Sequence, residues 1–130
     1  MKKIIFTLLL LISSLYAELT NVYLSQKLLD SKIPIVDIRT PGEWIETGII
    51  KDSIPIMFFN EKGDYDINGF LKELNEKVDT TKPFAMICRT GSRTKVITAY
   101  FSQKLNYNVT NIAGGITFHQ MKNPPFVKYK

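Results

Sequence analysis

The amino-acid sequence predicts an α/β protein with a mainly parallel central sheet flanked by helices on both faces. Two observations lead to this prediction. Short apolar runs alternate along the chain with longer segments that have apolar residues at helical spacing. Helix-capping residues, glycines and prolines fall between these segments and separate them. Such alternation is typical of strand–helix–strand units, in which the strands run parallel.

Four elements are predicted in the first half of the chain: a helix over residues 19–29, a strand over 33–38, a short helix between Thr40 and Gly48, and a strand over 54–59. The first helix would have Thr20 or Asn21 as its cap. Its apolar stripe would be formed by Val22, Leu24, Leu28 and Leu29. The second helix is indicated by Pro41, which follows the threonine cap in a first turn.

Five elements are predicted in the second half: a helix capped by Asp66 and reaching Val78, a strand over 84–87, a helix over 92–105, a strand over 109–112, and a short helix over 116–121. Helical spacing predicts the buried faces of the two longer helices: Phe70, Leu71, Leu74 and Val78 in one, and Val96, Ile97, Tyr100, Phe101 and Leu105 in the other. Gly114 and Gly115 predict a turn, and we expect irregular backbone beyond Pro124 and Pro125.

The N-terminal segment has the pattern of a cleavable signal peptide. Two lysines precede a short apolar stretch, and Ala17 offers a small residue at a cleavage point. The stretch is too short to span a membrane, which needs about 20 apolar residues. We therefore expect residues 1–17 to be a signal peptide and residues 18–130 to form one domain, with its core at about 21–127. The mature protein would be periplasmic or secreted, with no stable membrane insertion.

Charge and cysteine content narrow the classes of function. Removal of residues 1–17 takes away two lysines and lowers the net charge from +5 to +3, with 15 basic against 12 acidic side chains. No basic run with interleaved aromatic residues appears, so nucleic acid is not an expected partner. Cys88 is the only cysteine, which excludes an internal disulfide. We expect neither a metal site nor a cofactor.

The residues around Cys88 predict a reactive thiol. An apolar strand ends in Cys88 and turns through a short loop into a helix, so backbone N–H groups and the helix N-terminus converge on one point. Such surroundings lower the pKa of a cysteine from about 8.5 to roughly 3.5–7.5, which predicts a nucleophilic thiolate. Gly91 permits dihedrals that a side chain would forbid, and Ser92 or Thr90 would either cap the helix or donate to a bound oxyanion. Five loop residues are candidate binding residues for a small anion: Arg89, Thr90, Gly91, Ser92 and Arg93.

Three motifs resemble those of the single-domain rhodaneses, a family of sulfurtransferases. They are Val-Asp-Ile-Arg-Thr-Pro-Gly-Glu-Trp over residues 36–44, Cys-Arg-Thr-Gly-Ser-Arg over 88–93, and Ala-Gly-Gly-Ile over 113–116. Their order and spacing also resemble the family, over roughly residues 21–127. The resemblance implies a rhodanese-like fold with Cys88 as the catalytic residue.

The resemblance further implies a two-step transfer of sulfane sulfur. Cys88 would take the outer sulfur of thiosulfate or a similar small anionic donor, and sulfite would leave. A thiol or cyanide would then accept the sulfur from the Cys88 persulfide, and a partner protein is another candidate acceptor. Asp37 and Arg39 would either bind substrate or form an ion pair that supports the loop after the first strand.

Other functions stay open at this level. A non-catalytic sulfur carrier needs the same persulfide, and a redox sensor would oxidise the same thiol. A cysteine phosphatase or arsenate reductase is disfavoured, because those enzymes have five residues between the cysteine and the arginine. Here only four separate Cys88 from Arg93, and Thr94 takes the phosphatase position. The last alternative is a structural module whose cysteine is an inert core residue.

Overall fold

A computed structural model describes residues 19–130 of the protein. The predicted signal peptide, residues 1–17, lies outside the described residues. Within residues 19–130, no helix is both long and apolar enough to cross a membrane.

A parallel sheet of five strands forms the centre of the fold. Its strands are β1 (Thr20–Tyr23), β2 (Ile35–Asp37), β4 (Ile54–Pro55), β5 (Phe84–Ile87) and β6 (Val109–Ala113). They lie in the order β1-β6-β5-β2-β4, and every neighbouring pair is parallel. Two short strands, β3 (Ile49–Ile50) and β7 (Phe126–Val127), form a separate antiparallel pair. The predicted α/β class with a mainly parallel sheet is confirmed.

Helices cover both faces of this sheet. They are α1 (Gln26–Asp30), α2 (Pro41–Thr47), α3 (Ile67–Lys77) and α4 (Ser92–Leu105). On one face, side chains of β2, β5 and β6 pack against Leu74 of α3 and Phe101 of α4. On the other face, strand residues pack against Leu28 and Leu29 of α1. Strand β5 is buried along its whole length, because helices cover both of its sides.

Several local signals are borne out. Thr40 caps α2, Pro41 is its first residue, and Gly48 ends it. The Asp66 side chain caps α3 by accepting the N–H of Gly69 at 3.1 Å. The predicted bounds of α4, residues 92–105, match the structure.

The prediction of a single helix over residues 19–29 is wrong. The chain forms β1 first and then α1, which Ser25 caps by accepting the N–H of Leu28 at 3.2 Å. Parallel pairing with β6 makes residues 20–23 a strand, because tertiary pairing outweighs local preference in a sheet.

Two other predictions about the sheet and its helices need correction. The apolar run over residues 54–59 contributes only Ile54 and Pro55 to the main sheet. The buried face of α4 is also displaced, because Val96 and Tyr100 are 66% and 40% exposed. Ile97 and Phe101 are buried as predicted, and the other residues that α4 buries are Thr94, Thr98 and Ser102.

The C-terminal part of the chain also differs from the prediction. Residues 116–121 form turns, not a helix, because the N–H groups of Ile116 and Thr117 donate to carbonyls of the Cys88 loop. The tail is not irregular throughout, since β7 pairs with β3. Tyr129 packs edge-on against Trp44, with ring centroids 5.2 Å apart.

Candidate active site

Three loops meet at the carboxyl edge of the sheet. Cys88 follows β5, and Asp37 ends the neighbouring strand β2. The turn after β6 lies against the Cys88 loop, because a Cβ added to Gly91 would be 2.7 Å from the backbone nitrogen of Gly114. This edge is where parallel α/β sheets place their binding sites.

The sulfur of Cys88 receives one hydrogen bond from its own loop and contacts one hydroxyl group of α4. The N–H of Gly91 donates to Sγ at 3.2 Å, and the hydroxyl oxygen of Thr94 lies 3.5 Å from Sγ. Gly91 is the N-cap of α4 and has a φ of +95°, which favours glycine. A backbone amide at the N-terminus of a helix therefore points at the sulfur, in the arrangement that stabilises an anion there.

The exposed side chains of the loop are Arg89, Thr90 and Ser92. The two hydroxyl oxygens lie 3.3 Å apart, and neither caps α4, so the expectation of a side-chain cap is wrong. Gly91 takes the cap position instead. The three exposed side chains are thus available at the surface to a ligand that reaches the loop.

Arg93 is held by an acidic residue outside the loop. Its Nη1 and Nη2 donate to Oε1 and Oε2 of Glu43, both at 2.8 Å, in a bidentate pair. The hydrogen bond from Arg93 lowers the pKa of Glu43, and the same bond raises the pKa of Arg93. Arg93 therefore ties α4 to α2, and Glu43 offsets its charge. Substrate binding by Arg93 stays a prediction.

Asp37 and Arg39 form a completely buried ion pair beside the Cys88 loop. Arg39 Nη2 lies 2.8 Å from Asp37 Oδ2, and neither side chain has exposed area. Trp44 Nε1 also donates to Asp37 at 3.1 Å, and Arg39 donates to the carbonyl of Gly48 at 2.9 Å. Both charged side chains therefore have hydrogen-bond partners within the protein, and these bonds fix the path of the chain from β2 into α2.

Two residues near the sulfur were not among the predicted site residues. Glu43 carries a signal that the sequence offers, since Thr40 and Glu43 have the spacing of a capping box, and both of its bonds are present. Its pairing with Arg93 joins residues 50 positions apart and has no local signal. Thr94 was noted in the sequence only because it occupies the position of the phosphatase arginine. In the structure its hydroxyl contacts Sγ and donates to the carbonyl of Gly91 at 3.2 Å.

Cys88 has no exposed area in this structure. It is part of the apolar cluster between the sheet and helices α3 and α4. A substrate can therefore reach Sγ only after a local movement exposes the sulfur. Among residues 19–130, no group of three or more His, Cys, Asp or Glu side chains is placed to hold a metal ion.

Fold and site together define a class of protein. It is a parallel α/β domain with a cysteine at the carboxyl end of a central strand, in a short loop that opens a helix. Residues 20–120 match the family described as Rhodanese-like domain. The chain belongs to this family.

The chain is similar to several known proteins. It is 33% identical over 93 residues to Uncharacterized protein RP600 of Rickettsia prowazekii (strain Madrid E), covering 68% of this chain and 72% of that one. The crystal structure of Rv0390 from M. tuberculosis has a TM-score of 0.64 at 18% identity, covering 85% of this chain and 88% of that one. A rhodanese-like domain protein from Staphylococcus aureus has a TM-score of 0.57 at 22% identity, covering 78% and 93%. At these identities, the two structures are similar in fold.

Proposed function

We propose that the protein is a sulfurtransferase that carries sulfane sulfur on Cys88. The observation that carries this proposal is the hydrogen bond from the Gly91 N–H to Cys88 Sγ, at the N-terminus of α4. A thiolate and a persulfide are both anionic, and a backbone amide at a helix N-terminus stabilises negative charge. The short loop, with four residues between Cys88 and Arg93, supports sulfur transfer over phosphate chemistry.

The first step loads the enzyme. The Cys88 thiolate attacks the outer sulfur of thiosulfate or a similar anionic donor, and a new S–S bond forms. The S–S bond of the donor breaks, and sulfite leaves with the electron pair. Arg89, Thr90 and Ser92 are the exposed loop groups that would receive the donor. No cofactor is needed for this step, because the donor supplies the sulfur and its own leaving group.

The second step unloads the enzyme. Cyanide or a thiolate attacks the terminal sulfur of the persulfide, the S–S bond to Cys88 breaks, and the electron pair returns to Sγ. Thiocyanate or an acceptor persulfide leaves, and Cys88 is a thiolate again. A sulfur carrier would perform the first step and hand the sulfur to one partner, without turnover on small acceptors.

The complete burial of Cys88 favours one second candidate, a module whose cysteine only packs in the core. The two candidates differ in how the loop behaves. A transferase must open the loop over residues 89–92 to admit a donor, whereas a core cysteine stays covered until the whole domain unfolds. Exposure to thiosulfate under native conditions therefore separates them.

Mass spectrometry after thiosulfate treatment tests the proposal. We expect the protein to gain one sulfur atom on the peptide that contains Cys88, and cyanide to remove it while thiocyanate accumulates over many turnovers. Cys88→Ser is the control and should gain no sulfur while unfolding at a similar denaturant concentration. If the folded protein stays unmodified in excess thiosulfate, the proposal is refuted and the candidate with a core cysteine remains. If Cys88 is loaded but does not turn over, the protein is a sulfur carrier.

We also propose that the protein is exported and that its mature form begins at Glu18. The lysines, apolar stretch and Ala17 of the first 17 residues support this. The mass of the protein recovered from the periplasm or medium of an exporting host tests it. A product that keeps residues 1–17 would contradict cleavage at this position.

A further inference from the structure

Two large exposed aromatic side chains lie beside Gly114, a residue that packs against the Cys88 loop. Phe118 is 61% exposed and Tyr23 is 49% exposed. Both flank Gly114, because a Cβ added there would be 2.7 Å from Phe118 Cβ and 3.0 Å from Tyr23 Cε1. We call Tyr23 and Phe118 the aromatic rim. Neighbouring exposed aromatic rings are typical of interaction surfaces, because aromatic residues supply much of the binding energy of protein interfaces.

The aromatic rim is fastened to the backbone of the reactive loop. Gly114, which the rim flanks, lies against Gly91. Thr117, one residue before Phe118, donates its N–H to the carbonyl of Arg89 at 3.1 Å. The N–H of Ile116 donates to the carbonyl of Cys88 at 3.0 Å. A partner that binds the rim is therefore placed beside the loop that contains Cys88.

The charge around the loop indicates what kind of partner fits. Arg89 is exposed in the loop, whereas the nearby carboxylate of Glu43 is paired with Arg93. Lys95, in the first turn of α4, is also exposed. A surface of this charge attracts an acidic partner.

We propose that the aromatic rim docks the sulfur acceptor, and that this acceptor is a protein segment with a cysteine among acidic and apolar residues. The inference rests on the proposed sulfur transfer and deepens it by naming the acceptor class. The docked thiolate attacks the terminal sulfur of the Cys88 persulfide, and its proton has gone to solvent. The S–S bond to Cys88 breaks, its electron pair returns to Sγ, and the segment carries the new persulfide. Cyanide needs no such surface, because it is small enough to enter the open loop alone.

The first experiment compares acceptors on preloaded protein. One synthetic peptide has a single cysteine between glutamates and leucines, a second has lysines in place of the glutamates, and cyanide is the reference. In Phe118→Ala, we expect the unloading rate of the acidic peptide relative to cyanide to fall about tenfold, since one aromatic anchor is lost. Phe118→Tyr should restore most of that ratio. Val96→Ala, at an equally exposed apolar residue on α4, should leave the ratio unchanged.

The second experiment measures docking without chemistry. The acidic peptide with serine in place of cysteine is titrated into the wild-type protein, and the NMR shifts of the described residues are followed. We expect shifts centred on Tyr23 and Phe118, weaker at high salt. If the peptide shifts resonances at the rim but Cys88 never takes up sulfur from thiosulfate, the proposed function is refuted and the docking surface is supported. Sulfur transfer to the peptide at an unchanged ratio in Phe118→Ala, or shifts elsewhere on the protein, would refute the docking surface.

Discussion

The loop between β2 and α2 and the loop between β5 and α4 lie side by side at the carboxyl edge of the sheet, and they are built differently. In the first, side chains satisfy one another: Asp37 pairs with Arg39 and accepts from Trp44. Thr40 and Glu43 cap α2 reciprocally. The second has no side-chain cap, and a backbone amide of Gly91 points at sulfur instead.

The difference indicates that the first loop supports the site and that the second contains its reactive group. A loop whose charged side chains all have protein partners is held in one conformation, and it has no unpaired charge for a substrate. A loop that caps its helix with glycine can present backbone donors to an added anion. The Glu43–Arg93 pair is the connection between the two, because it runs from the first loop's helix to the second's. We expect this pair to restrict the movement of the reactive loop relative to α2.

The largest effect is expected from Asp37→Ala in the supporting loop. The change leaves the buried Arg39 charge without its partner, and breaking a buried pair in this way costs about 3–5 kcal/mol. Urea unfolding measures the loss. Glu73→Ala is the control, since its pair with Lys77 is nearly half exposed and should cost less than about 0.5 kcal/mol. Equal losses in the two variants would contradict the supporting role of the first loop.

A smaller but site-specific effect is expected from Gly91→Ala. The new Cβ would lie 2.7 Å from the backbone of Gly114, and φ is +95°, so clash and strain together should cost roughly 2–3 kcal/mol. We also expect slower loading of Cys88, because the amide that donates to Sγ must shift. Unfolding and thiosulfate loading measure the two effects.

Gly63→Ala is the matched control for this variant. Gly63 has a φ of +82° but nothing within 4 Å of an added Cβ, so only the strain, about 1 kcal/mol, should remain. Loading of Cys88 should not change in Gly63→Ala. If the two variants lose the same stability and load equally fast, the close packing of Gly91 against Gly114 has no role at the site.

The parts of the molecule that the sequence predicted are local. Strand β5, Cys88, Gly91 and helix α4 follow one another within about twenty residues, so apolar pattern, glycine and helical spacing describe them together. The helix starts at Thr40 and Asp66 were predicted for the same reason, because a cap bonds to an N–H in its own first turn.

The parts that were missed depend on distant contacts. Strand β1 is defined by pairing with β6, and Asn111 Nδ2 donates to Asn21 Oδ1 at 2.9 Å across 90 residues. Thr94 and Thr98 are fully buried on α4 because their hydroxyls donate to the carbonyls of Gly91 and Thr94, bonds that let polar residues replace apolar ones. Apolar periodicity cannot detect that substitution, so Val96 and Tyr100 were included in the buried face and the two threonines were left out.

The smallest expected effect comes from Glu43→Gln, which breaks the connection between the two loops. Glutamine can still complete the capping box, so the variant removes mainly the ion pair with Arg93. The pair is partly exposed, and its loss should cost less than about 1 kcal/mol at neutral pH.

The pH dependence of stability identifies this contribution. Because Arg93 lowers the pKa of Glu43 in the folded protein, the pair stabilises above the ordinary glutamate value of 4.5, and this stability is lost as the pH falls below 4.5 through the folded pKa. Urea midpoints from about pH 6 down to about pH 3 should therefore fall more steeply in the wild type than in Glu43→Gln. Glu76→Gln, at an exposed position on α3, should keep the wild-type slope. If Glu43→Gln also keeps the wild-type slope, the ion pair with Arg93 does not stabilise the contact between α2 and α4.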